Sequence, residues 1–173
     1  MPAFTPQPNT YEIAAILPPG EHFAPGAAGA IALFVHQTTV NGAYQKYTTV
    51  YGRADDKARR FSGVSYIGIE PSMQLILGRN GGFTRTLIEE LKKRSVGIIE
   101  VHNHVQYFFR LANAFPNTPI SIHFHNDPQT IKGSMTPKER WRILERADAI
   151  YCCSDFVRRR FLTGLDAGRQ DHV

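Results

Sequence analysis

The stretch VGIIEVHNHVQYFFRLANAFPNTPISIHFHND (Val96–Asp127) decides the fold. It opens with an apolar run, Val96–Val101, and passes through His102-Asn103-His104. The next segment, Val105–Phe115, places its apolar residues at helical spacing. Pro116 stops it, because proline lacks the N–H and its ring clashes with the preceding turn. A second short apolar run, Ile120–Phe124, then breaks off at His125-Asn126-Asp127 ahead of Pro128. Strand, helix and strand in so short a span make a βαβ unit, and such a crossover leaves its two strands parallel.

The pattern extends in both directions. Downstream, TPKERWRILERAD (136–148) carries a helix start: Thr136 as N-cap, Pro137 at the first helical position and Glu139 completing a capping box. AIYCCSD (149–155) reads as a strand, and DFVRRRFLTGL (155–165) as a helix ended by Gly164. Upstream, YEIAAIL (11–17) is a short apolar strand halted by Pro18-Pro19-Gly20. APGAAGAIALFVHQ (24–37) begins as a glycine-rich turn and becomes helical in period. KYTTVYG (46–52) and GVSYIGI (63–69) are β-branched and aromatic, hence strands. TRTLIEELKKR (84–94) is an amphipathic helix on Leu87, Leu91 and the aliphatic stem of Lys92. The alternation predicts an α/β domain over residues 11–165: a Rossmann-like open parallel sheet with helices on both faces. Residues 1–10 form a Pro-rich lead-in, and 166–173 a tail.

Composition sets the outer limits. A chain of 173 residues with 42% hydrophobic and 20% charged residues is long and apolar enough to bury a core, which argues against disorder. The formal net charge of +5 favours acidic partners: nucleic acid, anionic headgroups or phosphorylated substrates. No apolar run reaches the roughly 20 residues that span a bilayer. The N-terminus lacks the basic and apolar regions of a secretory signal, so a cytoplasmic location is expected. Cys152 and Cys153 are neighbours on a strand and point to opposite faces, which suits two small buried side chains better than a disulfide.

Open parallel sheets bind ligands beyond the carboxyl ends of their strands. Four polar clusters fall there: Pro18-Pro19-Gly20 with the glycine loop, His102-Asn103-His104, His125-Asn126-Asp127 and Ser154-Asp155. Gly26 and Gly29 precede a helix, so its N–H groups can face an anion, although the loop is neither a P-loop nor a dinucleotide fingerprint and also reads as a plain flexible turn. His123 and His125 share one strand face, and with Asp127 they form a His-x-His-x-Asp pattern that a metal-dependent hydrolase could use. Pro128 stands where such sites carry a further histidine, so no metal is expected, and His123 reads as a core histidine satisfied by a neighbour. His102 and Asp127, at strand ends, are the candidate catalytic residues: the imidazole can hydrogen-bond a sugar hydroxyl, and the carboxylate can accept from another or orient an acceptor nucleophile; the alternative for Asp127 is a turn residue bonding its own backbone. Arg158-Arg159-Arg160 reads as a solvated face or as a surface that docks on anionic lipid. Nucleic acid is not expected, because Phe108, Phe109 and Phe156 sit at core-like positions instead of punctuating a basic face. A non-catalytic module that binds glycan or anionic lipid is the remaining alternative.

The segments IIEVHNH, FHNDPQT and TPKERWRILERADAIYCCSDFVRRRFL together resemble the N-terminal half of glycosyltransferase family 4 enzymes, which have the two-domain GT-B fold. The similarity runs from about Tyr11 to Leu165; Ala28-Gly29-Ala30 stands where the family shows Gly-Gly-Ala. The resemblance implies retaining transfer of a sugar from a nucleotide-sugar donor to a saccharide or lipid-linked acceptor, with no cofactor. It places His102 nearest the transferred sugar and Gly26 and Gly29 by the donor diphosphate. Asn103, His125, Asn126 and Asp127 would line the acceptor side. It also implies a C-terminal donor-binding domain beyond a linker begun at 166–173, and peripheral contact with the inner face of the plasma membrane. Without that second domain, this chain is expected to be inactive.

Overall fold

The computed structural model describes residues 11–54, 60–72 and 74–165. The expected lead-in (1–10) and linker (166–173) lie outside the described residues. Six strands form one parallel sheet: β1 (Glu12–Ile16), β2 (Thr48–Arg53), β3 (Ser65–Ile69), β4 (Val96–His102), β5 (Ile120–Phe124) and β6 (Ala149–Cys152). Their spatial order is β3-β2-β1-β4-β5-β6, with every neighbouring pair parallel. The chain runs outward one way from β1 and returns to run the other way from β4. The junction between β1 and β4 is therefore the topological switch point, where such sheets open a crevice.

Among the described residues five α-helices cover the sheet: α1 (Ala30–Val40), α2 (Gln74–Leu91), α3 (Val105–Ala114), α4 (Pro137–Arg146) and α5 (Asp155–Leu162). They are shared unequally between the faces. Ile16, Ile99, Val101, Ile120, Ile122 and Phe124 pack with residues of α2, α3, α4 and α5 into the larger core. On the opposite face Ala15, Leu17 and Val50 pack with Ile31, Ala32 and Val35 of α1 into a smaller one. The half of that second face built by β4, β5 and β6 receives no buried residue from any described helix. Ile98 and Tyr151 there are 41% and 54% exposed.

Helix ends follow local chemistry. Thr136 Oγ1 accepts from the Glu139 N–H at 3.3 Å and Glu139 Oε2 accepts from the Thr136 N–H at 2.9 Å, completing the capping box. Gly164 adopts a left-handed φ of 77° just past α5. Helix α2 begins ten residues before the start read from periodicity. Its first half holds Gly78, Gly81 and Gly82, poor helix formers that erase the signal. Gly78 breaks the helix at φ 68°, and a Cβ on Gly82 would lie 2.1 Å from the Ser72 carbonyl, so close packing explains that glycine. Lys92 lies beyond the helix and is exposed, whereas Leu87 and Leu91 are fully buried.

Arg140 of α4 joins the C-terminal third. It is 1% exposed, and its guanidinium donates to the carbonyls of Phe161, Ser134 and Met135 at 2.7, 2.9 and 2.8 Å and to that of Thr163. A buried charge is tolerated because backbone dipoles replace its water. Those carbonyls end α5 and shape the loop after β5. Arg140→Ala leaves them unpaired and is expected to cost at least about 3 kcal/mol, read as a fall in the urea midpoint at unchanged m-value. A midpoint within experimental scatter of the parent would show that the carbonyls find other partners.

Candidate functional site

Side chains alternate along a strand, so Val101 and Ile99 enter the larger core while Glu100 and His102 face the half-covered side. Parallel pairing sets Glu100 against Ser121 and His102 against His123, and His123 in turn against Tyr151 of β6. A polar layer results across three strands. His102 lies 3% exposed at its centre, with ring centroids 4.5 Å from His123 and 5.3 Å from His125. Tyr151 flanks His123 at 4.5 Å, and Phe34 of α1 meets His125 edge-on at 4.9 Å. Through Phe34, α1 reaches across the switch point.

His102 Nδ1 and His125 Nε2 share a hydrogen bond of 3.0 Å, whereas His102 Nε2 is buried with no protein partner. Burial, reinforced by its imidazole neighbours, holds the His102 pKa well below the usual histidine value. Burial likewise lowers His125, and with it His123 falls to about 4, while the Glu100 carboxyl is pushed up. Near neutral pH the three imidazoles are therefore uncharged, each offering one lone pair and one N–H.

Asn103 closes the end of β4. It alone among the described non-glycine residues has a positive φ, 54°, a conformation asparagine tolerates better than most. Its N–H donates to the His123 carbonyl at 2.8 Å, and its Oδ1 accepts from the His125 and Asn126 N–H groups at 3.2 and 3.4 Å. The β4 and β5 ends are stapled together by one residue. His104 then caps α3, its Nδ1 accepting from the Tyr107 N–H at 3.2 Å. Burial depresses its pKa to about 4, which keeps that lone pair available. Asn103 and His104 also line a cavity of about 320 Å³ with Asn80, Gln106 and Lys132.

Asp127 stands apart from the imidazoles, around a turn. Its Oδ1 accepts from the Gln129 N–H at 2.9 Å, capping a 3-10 turn at Pro128–Thr130, and its Oδ2 pairs with Arg160 Nε at 2.8 Å. Both oxygens serve the protein itself, matching the turn-residue alternative. The carboxylate gathered with the imidazoles is Glu100: one donor atom each from Glu100, His102 and His123 lies within 4.8 Å of the others. Among the described residues, the His123, His125 and Asp127 donors form no such group. The signal for Glu100 was its E-x-H spacing to His102, which puts both on one strand face.

The glycine loop holds its own anion. Glu21 Oε2 accepts from the Ala32 N–H at 3.1 Å, in the first turn of α1, and a Cβ on Gly29 would fall 2.6 Å from that carboxylate. Gly26 takes φ 79°, a turn conformation that favours glycine. On α5, Arg158 and Arg159 are exposed and Arg160 is half-buried against Asp127. Phe156, expected in the core, is 54% exposed, because helical spacing turns Val157 and Phe161 inward instead. Phe108 is buried as expected, and Phe109 is half-buried under the Arg142 guanidinium. No described helix is long and apolar enough to cross a membrane.

Comparison with known proteins agrees with this architecture. Sucrose-phosphate synthase from Thermosynechococcus elongatus superposes with a TM-score of 0.56 at 14% identity, over 80% of this chain and 41% of that one. HepE from Anabaena, solved in complex with UDP and glucose, gives 0.55 at 12% identity over 88% and 41%. A second structure of the synthase gives 0.58 at 13% identity over 89% and 82%. At these identities the likeness shows the fold, a Rossmann-like domain of the GT-B kind, and the chain spans 41% of the length of the first two proteins. No curated protein matches the sequence. The family model of Glycosyltransferase Family 4 matches residues 46–171, most of the chain and all of the β4–β6 polar layer, and the chain belongs to that family.

Proposed function

We propose that this chain is the acceptor-side domain of a retaining glycosyltransferase that moves a sugar from a nucleotide-sugar donor to a saccharide or lipid-linked acceptor. One observation carries the reading. His102 sits beside the switch point with Nδ1 committed to His125 and Nε2 buried without a partner. A buried polar atom left unpaired costs about 1–3 kcal/mol, and a sugar hydroxyl at that nitrogen recovers it. Family membership supplies the chemistry, and the UDP and glucose held by HepE supply the class of donor. His125 holds the orientation of the His102 ring, and Asn103 fixes the His125 and Asn126 backbone beside it.

Asp127 enters this reading as a positioning residue: with Arg160 it sets the turn that carries Asn126. Gly26 and Gly29 leave the α1 N-terminus open to a donor diphosphate, which takes the N–H that Glu21 occupies. Charge stabilisation of the leaving diphosphate is the largest task in such a transfer. Helix α1 itself carries no lysine or arginine, so this reading includes a second domain that supplies cations for turnover. Arg158 and Arg159, with exposed Phe156 beside them, suit peripheral contact with an anionic membrane at the cytoplasmic face.

Three substitutions in the complete enzyme separate these roles. His102→Ala is expected to lower kcat by about 100- to 1000-fold, the usual effect of removing one aimed hydrogen-bonding group, with an unchanged circular dichroism spectrum. An unaltered kcat in folded protein would remove His102 from the chemistry. Asp127→Ala is expected to cost about 1–2 kcal/mol of stability, mostly through the lost cap, and to raise the acceptor KM while kcat falls less than in His102→Ala. Asp127→Asn keeps a capping oxygen and should recover most of the stability. A kcat loss in Asp127→Asn equal to that of His102→Ala would instead make the carboxylate part of the reaction.

A further inference from the structure

The polar layer contains a second grouping that sugar transfer does not explain. The Glu100 side chain lies mid-strand and half-buried, with no hydrogen bond or ion pair to any described residue, in a layer shared with imidazoles, Ser121 and Tyr151. A desolvated carboxylate without a partner is costly, and nothing in the proposed transfer uses it. His123 has only a long contact of 3.4 Å from Nε2 to Ser121 Oγ. His102, 3% exposed, keeps Nε2 unpartnered. We infer that Glu100, His102 and His123 form a binding site for a transition-metal cation of the zinc class.

The donor set suits that cation. Zinc accepts two imidazoles and one carboxylate as protein ligands and leaves a fourth position to solvent or another ligand. A tetrahedral zinc about 2.1 Å from each donor holds the donors about 3.4 Å apart. The donors here lie within 4.8 Å of one another, so closure asks for shifts on the order of an ångström. Glu100, with three rotatable bonds at the half-covered face, can supply them. The surroundings match what a ligating histidine requires, since its other nitrogen must be held. His102 Nδ1 is held by His125 at 3.0 Å, and with the proton on Nδ1 the lone pair of Nε2 is the one that binds. The cation reaches the layer from the side where Ile98 and Tyr151 are exposed. Occupancy has a consequence: His102 Nε2 cannot serve a metal and a sugar hydroxyl together, so a bound cation shuts the proposed sugar contact.

Calorimetric titration of the tag-free protein with zinc chloride tests the inference, with Co²⁺ absorption as the second readout. One Zn²⁺ per chain is expected, and Glu100→Gln and His123→Ala should each weaken it at least about tenfold. Co²⁺ should give visible d–d bands in the parent that both variants lose. Should His123→Ala fail to fold, Glu100→Gln, a near-isosteric change at a half-buried position, carries the test. Absence of saturable one-to-one binding, or binding that neither substitution weakens, would overturn the site. The readout is metal on the protein itself, so a protein that transfers sugar but ignores zinc overturns this inference alone.

Discussion

The register between β4 and β5 governs the whole candidate site. Val101 and Ile122 are fully buried against the α3 side, and their burial leaves the flanking residues no freedom. Fully burying an aliphatic side chain stabilises by about 1.5–3 kcal/mol, and a slip of one residue would turn out that whole apolar set and bury the imidazoles in its place. The hydrophobic half of each strand therefore aligns the polar half: Glu100 beside Ser121 and His102 beside His123. Asn103 then makes the alignment permanent at the strand ends, where ladder hydrogen bonds run out. The site is a consequence of packing on the face it does not occupy.

That dependence explains what could be read from the sequence. The βαβ alternation, the capping box at Thr136 and the stop at Gly164 are local signals, visible in a few neighbouring residues, and they determine six strands and four of the helices closely. The convergence of His102, Asn103, His125 and Asn126 follows from a topological rule and was legible too. Helix α2 was half hidden, because Gly78, with its left-handed φ, and Gly82, in close approach to Ser72, suppress helical periodicity. Phe34, Glu21 and Arg160 were not legible as neighbours of the motifs. Their contacts cross 91, 11 and 33 residues of sequence, from Phe34 to His125, Glu21 to Ala32 and Arg160 to Asp127, and depend on helix placement rather than on spacing. Asp127 looked chemical from its motif and proved occupied, since the partner that claims it lies on α5.

The electrostatics of the layer narrow what it can bind. Three imidazoles kept neutral by burial repel neither a hydroxyl-rich ligand nor a cation, and they offer an anion little. Attraction for a phosphate has to come from elsewhere on the same edge. The N-terminus of α1 is one structural candidate, since Phe34 of that helix touches the imidazole layer. Neutral layer and positive helix end are the two halves a nucleotide-sugar would need, one for the sugar and one for the diphosphate.

Glu21 decides whether the second half is usable. A helix N-terminus attracts an anion by about 0.3–1 kcal/mol at an exposed site, and by about 2 kcal/mol at best. Two unit charges of the same sign 4 Å apart repel by about 4 kcal/mol at the effective dielectric of a protein surface. A diphosphate at α1 with Glu21 still in place would thus be repelled more strongly than the helix attracts it. Releasing Glu21 costs one hydrogen bond to the Ala32 N–H, about 1.5–3 kcal/mol for a charged acceptor, and the incoming phosphate re-forms that bond. Rotation of a flexible, half-buried side chain is therefore the less costly course, and under the proposed reading a donor diphosphate at this edge would exchange one anion for another.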